Sequence, residues 1–329
     1  MWRNLFPQRR PPAAEAVVPS RSQPGAGSFH DPAALMRIQR LEFRARLVVE
    51  GLWQGLHRSP RHGFSTEFTE YRPYAAGDDP RYLDWKVYAR TDRYYLQKFE
   101  DETNVGCLFL LDRSGSMAFG SRGYRKIDYA ATLIATLGLF LQAQGDALGL
   151  MSFADQLLAY VPPSRRRGHF HHLMATLENE VVGKPTDLDV PLARVPQLMR
   201  RRSALVLVSD LLAPIEKLET RLSEWLACGH EASVFQILDP RELTFDFDDA
   251  TEFVDLESDR RLNIEPSRVR ERYLERLQAH LAAVEDLCRR LGAHYHRFDT
   301  ERPMELALFD YLTDRERLGP VVKRGRGAR

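Results

Sequence analysis

Six short strand-like segments lie between residues 105 and 298, and segments of helical length separate most of them. A short apolar run that ends in a turn is typical of a strand buried on both faces of a sheet. Repeated strand–helix–strand units require right-handed crossovers, which place parallel strands side by side between two layers of helices. The sequence therefore predicts an α/β, Rossmann-like fold with a doubly wound, mostly parallel sheet, and strands at residues 105–111, 147–153, 157–161, 204–208, 232–238 and 293–298.

Apolar residues recur at intervals of three and four in a second set of segments. This spacing predicts helices at residues 31–56, 126–143, 166–181, 189–200, 215–227 and 269–291. Asp31 and Pro32 are typical of a helix start, Ser267 is the predicted N-cap of the last helix, and Gly292 is expected to end it.

Composition divides the chain into four parts. Pro, Gly, Ser and Ala without periodicity predict a disordered lead at the beginning, and a short basic tail ends the chain. The predicted parts are the lead at 1–30, an N-terminal helix with a β-rich and turn-rich extension at 31–104, the main domain at 105–318 with a small β excursion at about 243–264, and the tail at 319–329.

Overall charge and the distribution of cysteines indicate which partners and which cellular compartment to expect. A formal net charge of +1 in 329 residues gives no general attraction to nucleic acid or to a membrane surface. Cys107, Cys228 and Cys288 are scattered and form no CxxC pair, which favours a reducing compartment. The sequence has neither the apolar core of a signal peptide nor a run of about 18 apolar residues. We therefore predict a cytoplasmic protein without membrane insertion or a nucleic-acid partner.

Polar residues follow two of the predicted strands. The segment LFLLDRSGSMAFG places Asp112, Ser114 and Ser116 directly after an apolar run. The strand ALVLV leads to a second carboxylate, Asp210, and the loop GKPTDLDV between the two strands presents Thr186 just before a helix. Because the carboxyl ends of parallel strands meet at one edge of a sheet, we predict that one crevice receives all five side chains.

Two carboxylates and three hydroxyls make an all-oxygen set of ligands. Such a set suits Mg²⁺ or Mn²⁺ and disfavours zinc, which prefers His and Cys. Only two protein charges would oppose the charge of +2, and water would fill the remaining positions. The ion would therefore stay electrophilic and could accept a carboxylate from another molecule, as in a metal ion-dependent adhesion site.

These positions resemble the von Willebrand factor A fold. In that resemblance the DxSxS loop corresponds to Asp112, Ser114 and Ser116, the separate threonine to Thr186 and the final aspartate to Asp210. The resemblance implies a metal-binding interaction module with no catalytic residues. It also implies that a partner can supply the last ligand, so that the ion need not be bound when the partner is absent.

The preceding segment carries a second resemblance. Residues 67–102, EFTEYRPYAAGDDPRYLDWKVYARTDRYYLQKFEDE, look like the signature of the bacterial family called domain of unknown function 58, and the resemblance covers roughly residues 29–318. Members of that family are often encoded beside MoxR-type AAA+ ATPases. The resemblance therefore implies that this chain works with such an ATPase, or with its client, in the assembly or maturation of a protein complex.

Several alternatives remain open at this level. Asp112 and the serines could cap the next helix instead of binding metal. Ser164 or Thr176 could stand in for Thr186, because the loop that holds the threonine varies in length. A metal-dependent hydrolase would need a general base, for which Asp187 and Asp189 are the candidates. A metal-free structural scaffold is the third functional class.

Other motifs predict less. Ser114 stands where a haloacid-dehalogenase-type phosphotransferase needs a second aspartate, and the serine motif is not the GxSxG elbow of a hydrolase. His169, His171 and His172 lack a nearby cysteine to complete a zinc site, and a basic helix start is the preferred interpretation. In the GDD triplet at 77–79, Asp78 and Asp79 are expected to cap a turn or to form ion pairs with Arg81 or Arg90. The Asp84–Trp85 pair, with Arg90, is expected to brace the N-terminal segment against the sheet.

Overall fold

A six-stranded sheet lies at the centre of the fold. The computed structural model describes residues 31–58, 70–74, 85–98, 106–179, 188–199, 201–247, 251–254, 261–264 and 266–318. The strands in chain order are β1 (Glu70–Pro73), β2 (Tyr95–Lys98), β3 (Gly106–Asp112), β4 (Ala147–Phe153), β5 (Leu157–Ser164), β6 (Ser203–Ser209), β7 (Glu231–Leu238), β8 (Thr251–Val254), β9 (Arg261–Ile264) and β10 (His294–Asp299).

The order of the central sheet is β10-β7-β6-β3-β4-β5. All neighbouring pairs are parallel except β4 and β5, which are antiparallel. Only three residues separate β4 from β5, too few for a crossover, so the chain turns back as a hairpin at the sheet edge. The predicted doubly wound, mostly parallel α/β fold is confirmed.

Helices connect the strands and cover both faces of the sheet. In chain order they are α1 (Pro32–Met36), α2 (Leu41–Arg58), α3 (Trp85–Thr91), α4 (Lys126–Ala143), α5 (His169–Glu178), α6 (Asp189–Leu192), α7 (Val195–Leu198), α8 (Ile215–Ala227), α9 (Pro240–Thr244), α10 (Pro266–Leu291) and α11 (Met304–Leu318). Within the described ranges, no helix combines the length and the apolar character needed to cross a bilayer.

Several helices differ from their predicted extents. The segment predicted as one helix at 31–56 is two helices, α1 and α2, with a break at residues 37–40. The segment predicted as one helix at 189–200 is α6 and α7, because Pro196 enters the first turn of α7. Ser267 is not the N-cap of α10, since that helix already begins at Pro266. Gly292 ends it as predicted, with a φ of +78° that suits glycine.

Alternate side chains along the strands pack into two separate apolar cores, one on each face of the sheet. Phe109 and Leu111 of β3 pack in the core formed with α2, α4, α5 and α11. Leu108 and Leu110 pack in the core on the other face, with α6, α7, α8 and α10. All four side chains are fully buried, as expected for a strand covered on both faces.

Two small hairpins lie outside the central sheet. β1 pairs antiparallel with β2, with Glu70 opposite Lys98, and these strands belong to the β-rich extension predicted before residue 105. β8 pairs antiparallel with β9, with Thr251 opposite Ile264, inside the predicted β excursion.

Candidate metal centre

The two predicted carboxylates lie at the centre of the sheet, on neighbouring strands. Asp112 is the last residue of β3, and Asp210 follows the last residue of β6. From β3 the chain continues to β4 and β5 on one side, and then to β6, β7 and β10 on the other. This reversal is a topological switch point, where helices on opposite faces leave a crevice at the carboxyl ends of the strands.

Asp112 is held from two directions. Its side chain is 1% exposed, its Oδ1 accepts the N–H of Ser114 at 2.9 Å, and its Oδ2 accepts the hydroxyl of Ser209 at 2.6 Å. Burial and the negative charge of Asp210 raise the pKa of Asp112 to about 6, and the hydrogen bonds from the two serines oppose this rise. Both causes disfavour the ionised form of Asp112, and a cation bound beside it would oppose them.

The two loop serines lie next to each other between the carboxylates. Ser116 lies in a 3₁₀ turn, Gly115–Ala118, which brings its Oγ to 3.1 Å from the Oγ of Ser114. The Ser116 side chain also helps to hold the pKa of Asp210 below its ordinary value, after the larger effect of Lys126. Neighbouring oxygens of an octahedral Mg²⁺ shell lie about 3 Å apart, because each is about 2.1 Å from the ion. The spacing of the serines therefore matches two adjacent ligands.

The loop does not cap the helix that follows it. The start of α4 is closed by Asp128, whose carboxylate accepts the backbone N–H of Arg125 at 3.0 Å. Ser114 makes no side-chain cap bond to the 3₁₀ turn. Helix capping therefore does not account for the polar side chains after β3.

The threonine of the predicted set, Thr186, lies outside the described residues. The structure does place its two alternatives. Ser164 lies opposite Leu148 near the start of β4, at the sheet edge away from Asp112. Thr176 donates its hydroxyl to the carbonyl of His172 within α5. Neither alternative belongs to the crevice.

A buried lysine completes the cluster. The Nζ of Lys126, at the start of α4, lies 2.8 Å from Oδ2 of Asp210 and 2.5 Å from Oε1 of Glu242. Lys126 is 0% exposed and Glu242 is 1% exposed. The prediction from sequence missed both residues, although Lys126 stands on the apolar stripe of α4 with Ala130, and Glu242 follows Asp239 at the spacing of a capping box.

The charges of the cluster do not balance. Burial would raise the pKa of Asp210, but the adjacent Lys126 ammonium outweighs it and holds that pKa below its ordinary value. Glu242 shares the same ammonium, and burial together with the charge of Asp210 raises its pKa to about 7. With Asp112 included, three carboxylates face one ammonium, so full ionisation leaves an excess of two negative charges.

The residues present fit a hard divalent cation. Its charge of +2 equals the excess negative charge, and each carboxylate oxygen keeps a lone pair beyond its observed hydrogen bond. Within the described ranges, no group of three or more His, Cys, Asp or Glu side chains has the geometry of a metal site. The predicted set differs from such a group, because it has only two carboxylates and its other ligands are hydroxyl oxygens.

A family comparison covers this region. The sequence profile of the family described as "Protein of unknown function DUF58" matches residues 70–283, more than half of the chain. The chain belongs to the DUF58 family. This confirms the family resemblance found in the sequence.

Two mycobacterial proteins are similar to this DUF58 chain over most of its length. The proteins named "Uncharacterized protein Rv1480" of Mycobacterium tuberculosis and "Uncharacterized protein Mb1516" of Mycobacterium bovis are each 29% identical to it over 307 residues, which is 92% of this chain and 93% of each relative. Among solved structures, BatB from Bacteroides thetaiotaomicron matches with 14% identity and a TM-score of 0.44, over 64% of this chain and 98% of that one. An aerotolerance-related membrane protein from Bacteroides fragilis gives the same identity and TM-score, over 64% and 100%.

The remaining predicted motifs lie apart from the crevice or outside the described residues. His169 hydrogen-bonds to the carbonyl of Leu148, and His171 is exposed near Glu42, so these histidines do not converge. Asp189, a candidate general base, is bonded to Arg221 at 2.8 Å. The other candidate base, Asp187, and the GDD triplet with Asp84 lie outside the described residues.

The pKa of Asp112 leads to a prediction about stability and pH. Since its folded pKa is raised from 3.8 to about 6, the folded state holds this proton more tightly than the unfolded state. The resulting stability is complete below about pH 4 and is lost as the pH rises through 6. Without metal, the free energy of unfolding of wild type should therefore fall by about 2 kcal/mol relative to that of Asp112→Asn between pH 4 and pH 6. Chemical denaturation in EDTA at several pH values measures it, and a constant difference would contradict it.

Proposed function

We propose that this DUF58 chain is a non-enzymatic, divalent-metal-dependent protein–protein interaction module. The observation that carries the proposal is the buried crevice at the switch point, where hydrogen bonds link Asp112, Ser114 and Ser116 and where Asp210 is also buried. The crevice has an excess of negative charge and ligand types suited to Mg²⁺ or Mn²⁺.

The side chains that would hold the ion are those predicted from the sequence. They are Asp112, Ser114, Ser116, Thr186 and Asp210, some of them acting through water. The ion, when bound, supplies an electrophilic position for a carboxylate oxygen of a partner protein. Lys126 keeps Asp210 ionised and fixes its orientation, so that the carboxylate is ready for a ligand.

The partner we propose is a MoxR-type AAA+ ATPase, or the client protein that such an ATPase remodels. This part of the proposal is supported by the family, whose members are often encoded beside those ATPases. A cytoplasmic location is part of the same proposal. The expected role is in the assembly or maturation of a protein complex.

Partner capture from a native lysate tests the proposal. Wild type and Asp112→Ala would each be used as bait with Mg²⁺ and with EDTA, and the eluates identified by mass spectrometry. We expect an AAA+ ATPase or its client to be retained by wild type with Mg²⁺ and lost in the other three arms. Identical eluates in all four arms would remove the ion from the binding mechanism.

One observation favours a second candidate, a metal-free scaffold. The Lys126 ammonium already occupies one side of Asp210, and an internal cation of this kind can replace a metal in holding two strands together. Thermal unfolding with millimolar Mg²⁺ or Mn²⁺ separates the two candidates. A stabilisation that Asp112→Asn abolishes supports the metal-dependent module, because a ligand that binds only the folded state raises its stability. An unchanged melting temperature supports the scaffold.

A further inference from the structure

A groove runs beside the metal crevice on the α2 side of the sheet. It encloses about 520 Å³, and its walls come from the α1–α2 connection, α2, α4, the end of α5 and the loop after β3. Ser114 lies in its lining, so the groove ends next to Asp112. A molecule bound in the groove would therefore lie within reach of the crevice.

Positive charge dominates the groove. Six charged side chains line it, Arg40, Arg44, Arg113, Arg125, Asp128 and Glu178. Four guanidinium groups against two carboxylates leave an excess of two positive charges. Arg125 and Asp128 neutralise each other through a bidentate contact, at 3.0 and 2.9 Å, so the excess belongs to the other three arginines and Glu178.

Arg44 is the least satisfied of these arginines. Its Nε is buried and has no hydrogen-bond partner among the described residues, and its Nη1 contacts only the sulfur of Met36, at 3.5 Å. Burial lowers the pKa of Arg44, and the charges of Asp128 and Glu178 oppose this effect without a hydrogen bond to either. A buried donor without a partner is costly, and an incoming carboxylate would satisfy it.

Arg113 adds a second positive charge, and none of the carboxylates in the described residues hydrogen-bonds to it. The residue is 5% exposed, and its guanidinium donates to the backbone carbonyls of Thr176, Leu177 and Asn179 at the end of α5. These acceptors are neutral, and the nearby charge of Arg125 lowers the pKa of Arg113 further after the effect of burial. Arg113 thus fixes one wall of the groove and keeps its electrostatic potential positive.

The groove is also partly apolar. Ile38, Leu41, Ile127 and Leu177 line it between the arginines. Leu41 and Leu177 are buried, whereas Ile38 and Ile127 are partly exposed. A small inorganic anion would leave these two isoleucines in contact with water, whereas a peptide that alternates acidic and apolar side chains would cover them as well. The mixture favours a polypeptide ligand over a free anion.

We propose that this groove binds an acidic, amphipathic segment of the partner protein. Its carboxylates pair with Arg44 and Arg40, its apolar side chains contact Ile38 and Ile127, and its end lies beside Ser114. That the ligand is a segment of a partner protein rests on the proposed function. The arginine contacts themselves need no metal ion.

Peptide binding to the full chain tests the inference. The protein is titrated into a fluorescent peptide of alternating Glu and Leu, and binding is followed by fluorescence anisotropy. A second peptide, with Gln at every Glu position, serves as the uncharged control. We expect Arg40→Gln and Arg44→Gln each to weaken binding about fivefold at low salt. The matched control is Arg46→Gln on the same helix, whose side chain pairs with Glu42 outside the groove and should leave affinity unchanged.

The outcomes separate this inference from the proposed function. Binding that depends on the arginines and persists in EDTA and in Asp112→Asn supports the groove, even where the metal proposal fails. Equal binding of the Glu and Gln peptides would overturn the inference that the groove binds an acidic segment. An equal loss of affinity in Arg46→Gln would overturn it as well. Inorganic phosphate that binds with the same arginine dependence while the Glu peptide does not would also overturn it. Because Arg40 is exposed, its variant remains informative if Arg44→Gln unfolds the chain.

Discussion

Replacing Lys126 with methionine is expected to lower the free energy of unfolding by about 3–5 kcal/mol. Methionine fills a similar volume but removes the ammonium that contacts Asp210 and Glu242, both of which are almost fully buried. The two carboxylates would then face each other and Asp112 without a compensating charge. Urea denaturation of wild type and Lys126→Met at neutral pH, in EDTA, measures the difference.

The matched control for this variant also removes one of the two carboxylates that lose their counter-charge. In Lys126→Met with Glu242→Gln, one carboxylate fewer remains, so part of the lost stability should return. Mg²⁺ should also stabilise Lys126→Met by more than it stabilises wild type, because the excess negative charge at the crevice is larger. A loss below about 1 kcal/mol in the single variant would contradict the role of Lys126 as the internal counter-charge.

Replacing Gly120 with alanine is expected to cost at least about 3 kcal/mol. A Cβ at this position would lie 1.8 Å from the backbone oxygen of Tyr124 and 2.8 Å from the Cα of Arg125. Backbone atoms cannot move aside as a side chain can, so the loop between the 3₁₀ turn and α4 must shift. That loop positions Lys126, whose N–H donates to the carbonyl of Phe119 at 2.8 Å.

Gly123 in the same loop provides the control for Gly120→Ala. It has a φ of +83°, and a Cβ there would meet no atom within 4 Å. Gly123→Ala should therefore cost only about 1 kcal/mol, from the left-handed backbone alone. Equal losses in the two variants would show that the close approach to Tyr124 does not matter. Thermal unfolding of both variants measures the difference.

Strand positions and the carboxylates at strand ends were predictable from the sequence. A strand covered on both faces needs an unbroken apolar run, which makes β3 and β6 easy to recognise, and the first charge after each run must lie at the sheet edge. Asp112 and Asp210 follow from that rule. The structure adds that their strands, β3 and β6, are neighbours in the sheet.

The remaining parts depend on contacts that local patterns do not show. Lys126 and Glu242 are 116 positions apart, and only the fold brings the end of β7 next to the start of α4. The separation of α1 from α2 was not visible in the spacing, since Leu35 and Leu41 both face the same core across the break. Helix α11 was missed because acidic and basic residues interrupt its apolar positions, although Tyr311 is fully buried against the sheet.

Binding of Mn²⁺ to the purified chain, followed by the electron paramagnetic resonance signal of the free ion, tests the central claim most directly. Acetate would be included to stand in for the partner's carboxylate, with Asp112→Asn titrated in parallel. The metal-dependent module predicts saturable binding of one Mn²⁺ per chain in wild type, competed by Mg²⁺ and lost in Asp112→Asn. No saturable binding up to millimolar Mn²⁺, or the same binding in Asp112→Asn, would contradict it.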